Sequence, residues 1–394
     1  MTRMFRRALM PWAFLLFSAL LSAQQPGTVH LPDALLRSGA DPILHIDNNR
    51  FPGLIARANA HMGPRPSPDT LVITGTGDMM LGTSYPSARH LPPRADCRPL
   101  LRPVEDVLRS GDVLFGNLEG GFCGGGGTPK YCRDTTNCYV FCQPPEFLDC
   151  YREAGYDVLS VANNHVNDFG PAGREWTARL LDSSGIAFAG FTSHPWTLFE
   201  KNGVRYGFAA FAPNQGTMDV RNIALAADIA RHLDSLADVV IISFHGGAEG
   251  RENQHVVRGE EMYLGENRGS VYRFAHAVVD AGADVVFGHG PHVTRALELY
   301  NDRLICYSLG NFATYGRFNL QGPNGVAPIV RVFTNVRGEF LGGEVVSVRQ
   351  TGEGGPFPDP SDRALSLVRS LSEADFPDQD LVIGADGSLG RRKP

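Results

Sequence analysis

Between Leu71 and Gly310 short apolar, β-branched runs alternate with amphipathic stretches that end at glycine. The runs predict strands at Leu71–Thr76, Val113–Leu118, Val158–Ala162, Ile186–Ala189, Val204–Phe211, Val239–Phe244, Val285–Phe287 and Leu304–Ser308. The stretches between them predict helices over Arg98–Arg109, Pro145–Ala154, Ala172–Ser183, Ile229–Ala237 and Val271–Ala281. Strand, helix, strand at this spacing implies an α/β domain with a largely parallel core. Two later runs, Pro328–Asn335 and Phe340–Val348, flank Arg337-Gly338 as an antiparallel hairpin expected in a second sheet packed on the first.

Outside this body the pattern weakens. Residues 24–69 carry Pro, Asn and Gly with one or two weak helical turns, and read as an extension on the surface. The main domain spans 70–350, with a Cys-rich insertion at 120–142 whose first part, Gly120 to Lys130, is a glycine-rich loop. Residues 351–394 begin as a Gly/Pro/Asp linker, pass through a helix from Asp362 to Ser372 capped by Ser361, and end in a basic tip. No internal repeat is visible.

The N-terminus changes the picture of where the protein works. Arg3, Arg6 and Arg7 precede an uncharged apolar run from Ala8 to Ala23, the layout of a secretory signal peptide cleaved near Ala23. That run is shorter than the roughly 20 apolar residues a membrane span needs, and no later segment is a candidate, so no membrane span is expected in the mature chain. Cleavage would leave a periplasmic or extracellular protein. Losing three Arg and no acid takes the formal charge from −6 to −9, which argues against nucleic acid as a partner.

Six of the seven Cys fall between Cys97 and Cys150. In an exported chain such a cluster reads as disulfides before metal ligands, and no CxxC pair supports zinc. Cys306, inside the apolar run Leu304–Tyr307, is the expected free thiol.

Polar residues directly after buried strands are informative, because ligands of open α/β sheets bind where the strands' carboxyl ends meet. Here the strands run into Asp78, Glu119, Asn163-Asn164-His165, His245 and His289-Gly290-Pro291-His292. Each alone has an ordinary reading: Asp78 as a helix cap, Glu119 as a surface acid, the Asn pair as a tight turn, His245 as a satisfied half-buried histidine. Together, five strand ends offer a mixed oxygen and nitrogen ligand set.

The segments Gly77-Asp78-Met79-Met80-Leu81-Gly82, Gly116-Asn117-Leu118-Glu119, Ala162-Asn163-Asn164-His165 with Asp168-Phe169-Gly170, His245-Gly246-Gly247-Ala248-Glu249, Gly288-His289-Gly290-Pro291-His292 and Tyr307-Ser308-Leu309-Gly310-Asn311-Phe312 follow one another in the order of the CapA family. The chain resembles that family from about Leu71 to Val348, and the family is similar to PgsA proteins of poly-γ-glutamate capsule synthesis. The resemblance implies a calcineurin-like metallophosphoesterase α/β sandwich, two packed β-sheets flanked by helices. It implies a divalent metal ion (Mn, Fe or Zn) held by Asp78, Glu119, Asn164, His245, His289 and His292. It also implies His165 as proton donor, oriented by Asp168. Three positions depart from the usual pattern: Met80 stands where a His is expected, Glu119 where an Asp is expected, and Gly290 replaces a middle His. One tight metal with a weak or absent second fits these departures.

Glu249, four residues after His245, is either an orienting acid or a second base, or a solvated loop residue. The loop from Arg251 to Gly269 carries Arg251, Arg258 and Arg268 beside His255, Glu260, Glu261 and Glu266. Guanidinium groups there suit carboxylate or phosphate recognition, although a mixed-charge surface loop has the same composition. Arg251 and Asn311 complete the expected substrate-binding set with Glu249. The resemblance points to capsule or exopolymer biosynthesis, as a metal-dependent hydrolase or transferase on a phosphoester or an amide of an anionic polymer in the cell envelope. The alternative is a non-catalytic factor that binds, assembles or exports capsule polymer with the same residues.

Overall fold

The strand Leu71–Met80 runs between two kinds of neighbour. On one side lies a parallel series, Val113–Leu118, Val158–Ser160 and Ala187–Ala189. On the other lies the antiparallel hairpin Val326–Thr334 and Phe340–Gln350. The computed structural model from which this is drawn describes residues 70–132 and 138–392. The expected signal peptide 1–23, the extension 24–69 and the end of the basic tip lie outside the described residues.

The hairpin therefore joins the first sheet, not a second one as its position in sequence suggested. Leu71 to Gly75 pair with Thr334 to Val330, and the hairpin strands are buried on both faces. Val330, Val332, Phe340 and Val345 face one core while Ala327, Ile329 and Val348 face another, a requirement that only a central position satisfies. At its turn Gly338 has φ 70°, and a Cβ there would collide with the Asp284 carboxyl group. Turn conformation and close packing both demand glycine.

The second sheet has six strands in the order Leu297–Tyr300, Arg303–Cys306, Val285–His289, Val239–His245, Val204–Phe211, Trp196–Lys201. Its centre is parallel and its two edges are antiparallel. Phe115 of the first sheet stacks on Phe287 of the second, ring centroids 4.9 Å apart, and also meets Phe208 at 5.6 Å. This interlayer core is the α/β sandwich that the resemblance implied. The helices Leu148–Ala154 and Gly170–Ser184 cover the outside of the first sheet, while Ile223–Asp234 and Val271–Asp280 cover the second.

Three helix expectations change, and the first is that the helix expected over Ile229–Ala237 runs Ile223–Asp234, capped by Asn222 accepting from the Leu225 amide. The stretch 98–109 breaks into Arg98–Leu101, a 3-10 turn Arg102–Val104, and Glu105–Leu108. Pro103 explains it, since it cannot donate to the Pro99 carbonyl the backbone bond that a continuous helix needs, whereas Pro99 sits in the first turn, where no such bond is made. The C-terminal helix runs Arg363–Asp375 without a Ser361 cap; instead Asp359 accepts from the Ser361 and Arg363 backbone amides. Beyond one helix, the C-terminal residues add the strands Pro356–Pro358, Leu381–Ile383 and Ser388–Arg391 to the first sheet.

The six clustered cysteines pair as Cys97–Cys150, Cys123–Cys142 and Cys132–Cys138, and Cys306 is free and buried. Among the described residues no helix is long and apolar enough to cross a membrane.

Candidate metal centre

Parallel pairing places the chemistry. Asp78 stands in register with Asn117 on one side and Asn311 on the other, and His245 stands beside His289 in the other sheet. Both sheets present these ends to the same place, so Asp78, Asn117, Glu119, His245, His289 and His292 meet although up to 214 residues separate them.

At the centre, His289 Nδ1 donates to Asp78 Oδ1 at 3.0 Å and His292 Nδ1 to Asp78 Oδ2 at 2.8 Å. Asn117 Nδ2 donates to both Asp78 Oδ1 (2.8 Å) and Glu119 Oε2 (2.7 Å). Burial pushes the Asp78 pKa up, but the two histidine hydrogen bonds and their charges outweigh it and hold the carboxyl well below its usual range. For His292 burial opposes the proton, yet Asp78 more than compensates and raises it to about 10. Glu119 shifts the other way: burial and then the Asp78 charge push it well above the carboxylate range. Burial also drives the His245 pKa well down, against the pull of Asp78.

Glu119, His245 and His292 can each offer a ligand atom, all within 4.8 Å of one another. The fit to a metal rests on orphaned atoms. Among the described residues, both ring nitrogens of His245, Glu119 Oε1, His289 Nε2 and Asn164 Oδ1 are buried without a hydrogen-bond partner. Buried polar groups in folded proteins are nearly all partnered, and the exceptions that fall inside the Glu119, His245 and His292 group, a carboxylate oxygen and imidazole nitrogens, suit a first-row divalent cation. Asp78 also orients the imidazoles of His289 and His292, one through each of its oxygens.

Beside this lies the second expected pair. His165 Nδ1 donates to Asp168 Oδ2 at 2.8 Å, in a site where both residues are buried. Burial lowers the His165 pKa, partly offset by the Asp168 charge and hydrogen bond. Asp168 also takes the Phe141 amide (2.7 Å) and the Lys130 ammonium (2.5 Å) from the Cys-rich insertion. The Phe141 ring lies 4.1 Å from the His165 ring and 5.1 Å from Phe318, which in turn meets His292 at 6.1 Å.

The neighbouring Asn163 turns inward to Leu118 O (2.7 Å) and accepts from the His165 amide, leaving Asn164 as the amide with a free oxygen. Gly290, at φ 114°, explains the missing middle histidine. A Cβ there would lie 2.6 Å from Gly246 O, so the two loops touch through bare backbone. Met80, where a further histidine was expected, is fully buried.

Not every expected residue is drawn in. Arg251 is exposed and pairs with Glu252, away from the buried cluster. Asn311, in register with Asp78, donates to the carbonyls of His292 (3.3 Å) and Asn324 (3.1 Å), while its Oδ1 is buried without a hydrogen-bond partner among the described residues. Glu249 pairs with Arg268 at 3.1 Å. Sequence reasoning passed over Asn117, whose signal was a polar residue inside an apolar strand, and over Lys130 and Phe141, whose loop gives no signal.

The bacterial capsule synthesis protein PGA_cap family model matches residues 72–315, more than half of the chain, and that span contains every residue of the cluster. This chain belongs to that family. PGA_cap relatives include the capsule biosynthesis protein CapA of Bacillus anthracis, 27% identical over 269 residues, covering 62% of this chain and 60% of that protein. The PGA biosynthesis protein CapA of Bacillus subtilis is 26% identical, covering 62% of this chain and 64% of that one. The matches thus span less than two thirds of either relative's length. Among solved structures, a hypothetical protein from Thermus thermophilus aligns with TM-score 0.41 and 18% identity over 71% of this chain and 100% of that one. A putative 5'-nucleotidase from Staphylococcus aureus aligns with TM-score 0.41 and 14% identity over 77% and 58%.

Proposed function

We propose that this PGA_cap protein is an exported, metal-dependent hydrolase or transferase of capsule or exopolymer synthesis, acting on a phosphoester or an amide of an anionic polymer such as poly-γ-glutamate. The observation that carries the reading is the convergence of Glu119, His245 and His292, with His245 Nδ1 3.5 Å from Glu119 Oε2 and with Glu119 Oε1 and both His245 nitrogens buried without a hydrogen-bond partner among the described residues. The names of the Bacillus relatives support the capsule role.

Glu119, His245 and His292 would hold the ion, with Asn164 and His289 supplying further donors and Asp78 fixing the two histidine rings. A bound divalent cation supplies Lewis acidity toward a phosphoryl or carbonyl oxygen. The chain's own contribution to proton transfer is His165. Its Nδ1 proton is committed to Asp168, which fixes the tautomer and leaves Nε2 to exchange a proton with a leaving group. Lys130 and Phe141 hold Asp168 from the other side, so the acid cannot swing away from the ring.

A second reading, a polymer-binding or export factor without turnover, draws on Met80, an apolar side chain where a further metal ligand was expected. Metal analysis of the purified chain, with a hydrolysis screen on phosphoesters and poly-γ-glutamate, separates the two. A stoichiometric first-row ion with turnover supports the enzyme. A protein that neither retains nor takes up such an ion defeats it.

A further inference from the structure

The loop after the Val239–His245 strand packs around two buried arginines that differ in one respect. Arg295, fully buried, reaches into this loop with every nitrogen engaged: Nε to Asn253 O, Nη1 to Glu261 Oε1, and Nη2 to Ala248 O and Glu261 Oε2. Arg268 is 5% exposed, and it pairs with the carboxylates of Glu249, 3.1 Å from Nη2, and Glu266, 3.2 Å from Nε. Among the described residues its Nη1 is buried without a hydrogen-bond partner, and so, by hydrogen-bond geometry, is Nε. A guanidinium presents five donors in a fixed fork, and leaving part of that fork buried and unpaired is costly.

The position of Arg268 matters as much as its unpaired donors. Its carbonyl accepts from the Gly247 amide at 3.0 Å, and a Cβ on Gly246 would lie 2.9 Å from that carbonyl. Arg268 is therefore packed on the two residues that follow His245. Its ring neighbour is Tyr263, 5.5 Å away. The other two arginines of the loop have different work: Arg258 lies over the Tyr272 and Phe376 rings and binds Asp375 O, and Arg251 is on the surface.

We propose that Arg268 is a binding subsite for an anionic group of the substrate, a carboxylate or a phosphate, with Glu249 occupying the fork until that group arrives. The proposal deepens the reading of the neighbouring cluster as a reaction centre and rests on it for the meaning of the subsite. Glu249 is the more accessible partner of the pair, its side chain 20% exposed against 6% for Arg268. An entering anion takes its place on Nη2 and reaches Nη1, completing a bidentate contact of the kind arginine makes with both groups.

The test is calorimetric titration of the purified full chain with inorganic phosphate and, separately, with glutarate, with metal content measured on the same samples. Wild type is expected to bind at least one probe. Arg268→Gln should weaken that binding about 10- to 100-fold, the loss expected for charge-assisted hydrogen bonds, with metal content unchanged. Glu249→Gln should tighten it by removing the competing carboxylate, and the gain should vanish in the double variant. Because Glu249→Gln leaves the arginine in place, it tests the subsite even where Arg268→Gln does not fold. Preference for phosphate marks a phosphoryl group, and preference for glutarate marks a carboxylate polymer. The proposal is overturned if wild type binds neither probe, if Glu249→Gln fails to tighten binding, if folded Arg268→Gln binds as wild type does, or if the Glu249→Gln gain persists without Arg268. Loss of the metal reading would instead appear as absent metal in wild type, with anion binding intact.

Discussion

His292 donates from Nδ1 to Asp78 Oδ2 at 2.8 Å while its own backbone stands at φ 56°, a left-handed conformation uncommon outside glycine. Three hydrogen bonds hold that geometry. Asn311 and Asn324 both donate to the His292 carbonyl, at 3.3 and 3.1 Å, and Asp78 fixes the ring. A locally unfavourable backbone held by surrounding contacts is what a functional loop shows when its side chain must be aimed.

Asp78→Asn therefore has a defined expected effect. The amide keeps the shape but loses the charge and one acceptor, so the His289 and His292 rings lose their common anchor. Orienting carboxylates of this kind are worth about 10- to 100-fold in metal affinity, and a loss of that size is expected in competition with a chromophoric chelator. An unchanged affinity would mean that Asp78 does not govern the two rings.

The cysteine pattern makes a simpler prediction. With Cys97–Cys150, Cys123–Cys142 and Cys132–Cys138 closed, the denatured, unreduced protein should show one reactive thiol, Cys306. Reduction of Cys123–Cys142 should also be felt at the centre, because Phe141 next to Cys142 covers His165 and holds Asp168. Finding all the cysteines free would remove both expectations.

Stability should carry the signature of Asp284. It is buried, accepts from Val240 N and Arg303 Nε, each at 2.8 Å, and burial nevertheless raises its pKa from 3.8 to about 6. Between those values the folded protein holds a proton that the unfolded chain has lost, so stability is greatest below the lower value and falls as pH rises through about 4 to 6. The full loss is on the order of 3 kcal/mol. Urea denaturation of wild type and Asp284→Asn at pH 4 and 7 should show a smaller fall in the variant; equal falls would exonerate Asp284.

Much of this was legible in the chain and some was not, for physical reasons. The strand ends could be read because a polar residue that closes an apolar run sits where the sheet's ligands bind, which is how Asp78, Glu119, His245 and His289 emerged. The placement of the Val326–Thr334 hairpin could not, because its alternation is compatible with either sheet and only pairing with Leu71–Gly75 decides. Arg251 and Arg268 looked alike in sequence, since a guanidinium on the surface and one packed behind Gly246-Gly247 differ only in tertiary context. Lys130 was hidden for the same reason: nothing near it in sequence points to Asp168, 38 residues on.

Two histidines of the centre should separate when mutated, and the separation decides whether chemistry occurs there. His165 makes its side-chain hydrogen bond to Asp168, and its ring packs on Phe141. His245 has, among the described residues, no hydrogen-bond partner for either ring nitrogen and sits in the cluster with Glu119, 3.5 Å from its Nδ1, and His292. If His165 is the proton donor, His165→Gln should cut turnover by about 10²- to 10⁴-fold at nearly unchanged metal content. His245→Gln should lower metal content and turnover together, because it removes a donor that nothing else replaces. Metal analysis alongside kinetics on whichever substrate the hydrolysis screen identifies reads both effects at once. A polymer-binding factor would show no turnover to lose, and its His165→Gln variant would bind polymer as well as wild type. Loss of metal from the His165→Gln protein as complete as from His245→Gln would make His165 a ligand and end the proton-donor assignment.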